Sequence, residues 1–144
     1  MVNRFGNGYL TQIPEVAKLK WINCFDIRGK METRILSKKT KYVAYLVFRL
    51  KNEFFHNNIA DAVVRFVDSQ SHTKVDERTS LVSLSGRKPS AKLPSKRGDG
   101  WMEIDMGNFF NGRGEDGDVE VRLMDKRDHI KSRLIVQGIE FQSE

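Results

Sequence analysis

Trp101, Glu103 and Asp105 share one face of an alternating run whose other face carries Met102, Ile104 and Met106. A flat indole between short carboxylates suits the binding of a sugar ring. The ring's C–H face lies on the aromatic platform, and the carboxylates accept hydrogen bonds from its hydroxyls. The same residues also suit a tryptophan at a sheet edge beside two solvated acids, because acids alternate with core residues in most half-buried strands. On these residues alone both readings stay open. The run opens at the turn dipeptide Asp99-Gly100 and leads into a compact hinge, with Phe109 and Phe110 among Gly107, Gly112, Gly114 and Gly117. A second alternating run follows, with Val119, Val121 and Leu123 on one side and Asp118, Glu120 and Arg122 on the other. Two such runs predict an antiparallel sheet packed on one face and wet on the other.

Other chemistries find less support. His56, His72 and His129 fall in predicted loops and lack the spacing of metal ligands. The Gly112–Gly117 cluster lacks the Lys-Ser/Thr of a phosphate loop. Its acids, Glu115, Asp116 and Asp118, do not follow the ligand order of a hand-type calcium loop, so a tight acidic turn is expected. Glycosidase action needs two carboxylates facing across a cleft, and nothing in the sequence sets Glu103 against Asp118. The expectation is a protein that is not an enzyme, with no metal and no cofactor.

The formal charge of +6 attracts polyanions at low salt. It is unevenly spread: from Arg78 to Gly98 there is no acid, while Arg87, Lys88, Lys92, Lys96 and Arg97 fall inside that stretch. Phosphate contacts to RNA are the functional reading of this loop, and a solvated lysine loop is the plain one. No apolar run approaches a membrane span, and the N-terminus has no signal-peptide core, so cytoplasmic or nucleocytoplasmic residence is expected. Cys24 is the single cysteine, which excludes an internal disulfide.

The elements that must position these residues are strands. Residues 1–14 show no periodicity and read as an N-terminal arm, with residues 15–144 forming one domain. Glu15–Leu19 reads as a short helical turn and Trp21–Glu32 as a strand. Tyr42–Leu50 carries apolar groups on both faces, as a central covered strand does. Ala60–Val67 and Leu81–Leu84 are further strands, and Ser85–Gly98 is an exposed loop with two prolines. In Leu134–Phe141 the alternation slips at Gly138, the mark of a β-bulge. Seven or eight strands with hardly any helical pattern predict an all-β fold, a jelly-roll-like antiparallel β-sandwich.

Several blocks in order carry a resemblance. They are Ile27-Arg28-Gly29-Lys30, Tyr42–Phe48, Asp99–Ile104, Gly107–Asn111, Gly114–Glu120 and Ile135–Ile139. Together they resemble the plant phloem protein 2 family, the Nictaba-related lectins, also found as the C-terminal domain of some F-box proteins. Among them the chain is similar to a short phloem lectin of the cucurbit kind. The resemblance implies a jelly-roll homodimer that binds chitooligosaccharides and the chitobiose core of N-glycans, residing in cytosol, nucleus or phloem sap. Some members are credited with carrying RNA. The family's sugar contacts, carried over by position, fall on Tyr9 and Phe5 in the arm and on Asp118 and Asp125. The two acids are one methylene shorter than the usual Glu. The chain departs from the family at Cys24 and Ile130, where tryptophans are usual.

Overall fold

The computed structural model describes residues 2–5, 8–12, 25–51, 59–67, 74–86, 88–115, 117–125 and 133–144; at 2–5, 8–12, 25, 51, 74–77, 125 and 133 it describes backbone alone. Cys24, the segment Glu15–Leu19, the three histidines, Asp116 and Arg87 lie outside the described residues. The strands are β1 (Val2–Phe5), β2 (Gly8–Gln12), β3 (Phe25–Glu32), β4 (Thr40–Lys51) and β5 (Ile59–Val67). They continue with β6 (Lys74–Ser83), β7 (Ser95–Lys96), β8 (Met102–Asn111), β9 (Asp118–Asp125) and β10 (Arg133–Ser143).

Two antiparallel sheets result, a six-stranded one in the order β1-β2-β10-β4-β8-β7 and a four-stranded one in the order β3-β9-β5-β6. Within them, β2-β10-β4-β8 facing β3-β9-β5-β6 is the eight-strand arrangement of a jelly roll. The expected fold class is therefore the observed one. The N-terminal segment, read from the sequence as an arm, supplies backbone to the sheet: β2 runs antiparallel to β10, and β1 continues the sheet. Main-chain hydrogen bonds need no side-chain alternation, and an edge strand can be recruited without leaving a periodic trace.

The core lies between the sheets. Tyr42, Ala44, Leu46 and Phe48 of β4, Ile104 and Met106 of β8, and Ile139 and Phe141 of β10 meet Ile27 and Met31 of β3, Val64 of β5, and Val119, Val121 and Leu123 of β9. The slip read at Gly138 is present as a register shift between Val136 and Gly138, and it keeps Leu134, Val136, Ile139 and Phe141 all buried. A second shift, opposite Ala44/Tyr45, corrects the hinge reading. The strand does not stop at Gly107; β8 runs on to Asn111, and the turn begins at Gly112. Gly107 has φ 138°, and a Cβ there would stand 2.7 Å from Val64 Cγ2 of the facing sheet. Only glycine permits both that conformation and that approach. The bulge also changes the phase. Ile104 and Met106 point inward before it, and Phe109 and Asn111 after it, which leaves Phe110 exposed. Phe109 then joins Tyr42, Phe66 and Phe141, with ring centroids 5.7–6.0 Å away.

The outer face of the four-stranded sheet is drier than its alternation suggests. Glu120 is 3% exposed. It accepts from Arg65, with the Arg65 Nε bond at 2.8 Å, and lies 4.0 Å from Lys30 Nζ. Asp26 accepts from Arg122 at 2.7 and 3.3 Å and from Arg28 at 3.0 Å. The Arg122 hydrogen bond, with Arg28 assisting, holds the Asp26 carboxyl down to about 2 from an ordinary 3.8. A carboxyl depressed on folding contributes stability that is complete above its unfolded value and disappears as pH falls through its folded one. Between pH 4 and pH 2 the denaturant midpoint of the parent should therefore fall more steeply than that of Asp26→Asn. Parallel slopes in urea titrations at pH 4, 3 and 2 would remove Asp26 from the acid response.

Candidate functional site

Arg97 through Trp101 is the turn between β7 and β8, whose pairs are Ser95 with Glu103 and Lys96 with Met102. The Arg97 N–H donates to the Trp101 carbonyl at 2.8 Å. The Trp101 N–H donates to Asp99 Oδ1 at 3.1 Å, and Gly100 takes φ 88°. An Asx-type turn with a left-handed glycine is what Asp-Gly supplies. It places Trp101 just ahead of β8, half-buried, with the Arg49 guanidinium of β4 over one ring face at 4.2 Å. A cation on that face leaves the other as the stacking surface. A cavity of about 260 Å³ adjoins the ring, lined by Lys96, Arg97, Gly100, Trp101 and Met102.

Behind the turn, the outer face of the six-stranded sheet gathers Glu103 and Asp105 of β8, Tyr45 of β4 and Glu140 of β10. The Arg97 guanidinium spans them, 3.3 Å from Glu140, 3.8 Å from Glu103 and 3.7 Å from Asp99. Reaching Glu140 of β10 from the turn between β7 and β8 takes the Arg97 side chain across β4, whose outward-facing Val47 is fully buried. Lys92 pairs with Asp105 at 3.2 Å, and Asp105 also accepts from the Gly107 N–H at 2.7 Å. Burial raises the Tyr45 hydroxyl above its ordinary value, and Asp105 and Glu103 add to the rise.

These contacts revise the reading of the basic loop. Its backbone is bonded to β6, with the Ser83 N–H donating to the Lys92 carbonyl at 2.9 Å and the Lys92 N–H donating to the Leu81 carbonyl at 3.0 Å. Ala91 is buried. Lys92 and Arg97 are held by acids of the same chain, which leaves Lys88 and Lys96 as its described cations without an acid partner. The polyanion surface expected from composition is thus partly neutralised from within. The sequence hides this because the acids concerned lie on other strands.

The predicted sugar residues are not gathered in one place. Trp101 and Glu103 stand together at the start of β8. Asp118 opens β9, opposite Glu32 and Val67, in a groove of about 370 Å³ with Glu32, Arg34, Gly114, Glu115 and Gly117. Asp125 closes the same strand opposite Phe25, about 24 Å from Asp118 at the ordinary rise per residue. A strand cannot bring its two ends to one ligand of a single ring. Tyr9 pairs with Phe141 and Phe5 with Gly8, so their backbones occupy the β1-β2 edge, with β10 and β4 between them and β8. One residue that the sequence reading missed is Asn111, which is fully buried. Its side-chain amide donates to the carbonyls of Thr33, Leu36 and Ser37 at 3.1, 3.3 and 2.9 Å. It fixes the connection beside the Asp118 groove.

Among the described residues no group of three or more His, Cys, Asp or Glu is arranged to hold a metal ion, and no helix is long and apolar enough to cross a membrane.

Topology and surface define an antiparallel jelly-roll sandwich with an open cleft beside a braced tryptophan. The Phloem protein 2 family model matches residues 8–143, and the chain belongs to that family. It is 35% identical over 137 residues to the F-box protein PP2-B10 of Arabidopsis thaliana, covering 92% of this chain and 50% of that protein. It is 37% identical over 139 residues to the putative F-box protein PP2-B8 of the same plant, covering 88% and 46%. The chain thus spans about half the length of these relatives. Among solved structures, a Clostridium thermocellum endo-1,4-β-xylanase 10B complexed with xylohexaose superposes with TM-score 0.48 and 7% identity, covering 93% of this chain and 27% of that one. A Streptococcus pneumoniae accessory secretory protein complex gives 0.41 and 11%, covering 100% and 85%.

Proposed function

We propose that this chain is a lectin for β1,4-linked N-acetylglucosamine oligomers, acting as a homodimer in phloem sap on free chitooligosaccharides and on N-glycan cores. The observation that carries the reading is the Trp101 cleft in a member of the phloem protein 2 family. The half-buried indole, which lines the cleft, would stack on a pyranose ring. Asp99 and Glu103, already oriented by Arg97, offer acceptors to hydroxyl and acetamide donors. No bond is made or broken in this reading; recognition rests on stacking and hydrogen bonds alone.

Titration of chitotriose by calorimetry tests it. Trp101→Ala should weaken binding by about 1–2 kcal/mol, the scale of one aromatic platform. Parent affinity should stay nearly constant as salt is raised, because a neutral sugar displaces no counterions. Asp118→Asn serves as the comparison. If it abolishes binding while Trp101→Ala has no effect, the sugar site moves to the Glu32–Asp118 groove.

A further inference from the structure

A second cavity, about 480 Å³, adjoins the Trp101 turn at the same end of the sandwich. Its lining falls into two halves. Phe48, Leu50, Leu84 and Met102 are apolar, while Arg49, Lys96 and Ser85 are polar. Phe48 and Leu84 are buried parts of the core, so the apolar half is a fixed floor rather than a loose surface. The size falls in the range of small-molecule sites.

The two cations distinguish this cavity. Neighbouring Lys92 and Arg97 are held by acids of the chain. Among the described residues Arg49 and Lys96 have no acid partner, and the Arg49 guanidinium lies over the Trp101 ring at 4.2 Å. An apolar floor under two uncompensated cations is complementary to a ligand with an apolar body and one anionic end. A neutral sugar would leave both the floor and the charges unmatched.

We infer that this cavity binds a small amphipathic carboxylate, its apolar body over Leu50, Leu84 and Met102 and its carboxylate between Arg49 and Lys96. The site adjoins the sugar cavity and shares Lys96, Gly100 and Met102 with it, but it uses neither the Trp101 ring as a platform nor Glu103 as an acceptor.

Decanoate, decanol and acetate are the probes, titrated by calorimetry at pH 7 into the whole chain. Decanoate should bind one to one, with decanol and acetate each at least about tenfold weaker, since each keeps only one half of the match. Lys96→Gln, at an exposed position, should weaken decanoate about tenfold. Ser85→Trp, which fills the mouth, should abolish it while circular dichroism stays that of the parent. If that variant misfolds, Lys96→Gln alone decides. Absence of saturable decanoate binding overturns the inference. So does equal affinity for decanol, or unchanged affinity in Lys96→Gln. Chitotriose titrated in parallel keeps the two readings apart, because a chain that fails to bind sugar can still bind decanoate, and the reverse.

Discussion

Asn111→Asp is expected to destabilise the sandwich by about 3–4 kcal/mol at pH 7, although it changes one atom. The fully buried side-chain amide of Asn111 donates to the carbonyl oxygens of Thr33, Leu36 and Ser37. A carboxylate there sets oxygen against oxygen and buries a charge. A neutral carboxyl donates only once, so two of the three carbonyls lose their partner. The protein escapes part of the cost by keeping the acid protonated, which raises its pKa on folding. A raised carboxyl pKa makes the folded state bind more protons than the unfolded one, so stability falls as pH rises above the unfolded value. The deficit of Asn111→Asp against the parent should consequently shrink between pH 7 and pH 4.5. Asn111→Ala, which removes donors without adding charge, should cost about 2 kcal/mol with no such pH dependence. Urea midpoints at the two pH values decide it, and equal midpoints for parent and Asn111→Asp would show that the amide fixes nothing.

Glu120→Ala should cost about 3 kcal/mol. The carboxylate is 4% exposed and the Arg65 side chain 13%, so its loss removes a charge-assisted bond that water replaces poorly. Lys30, at 4.0 Å and half in solvent, loses little. Replacing Arg65 and Glu120 together by Met should recover most of the stability, because apolar groups of similar volume fill the same space without desolvation. A cycle in which the double variant is as unstable as the sum of its parts would mean that the pair is not coupled.

Alternation alone determined the inward faces of β9 and of the first half of β8. Val119, Val121 and Leu123, and Ile104 with Met106, are buried as their period of two requires, because burial selects one face of a pleated strand. The Gly138 slip was equally legible, since a break in phase at a glycine has few other causes. The Gly107 bulge was not, because Phe109 and Phe110 are chemically alike and only the facing Val64 decides which one turns inward. Family membership also followed from the order of conserved-type blocks, and the profile match covers residues 8–143. What tertiary structure alone decided is which residues meet. Arg97 and Glu140 lie 43 positions apart, and only the order β10-β4-β8-β7 brings them together. The same topology holds Asp118 and Trp101 at different ends of the sandwich. Spacing along a chain fixes neighbours on one strand, whereas neighbours across strands depend on how the sheets are wound.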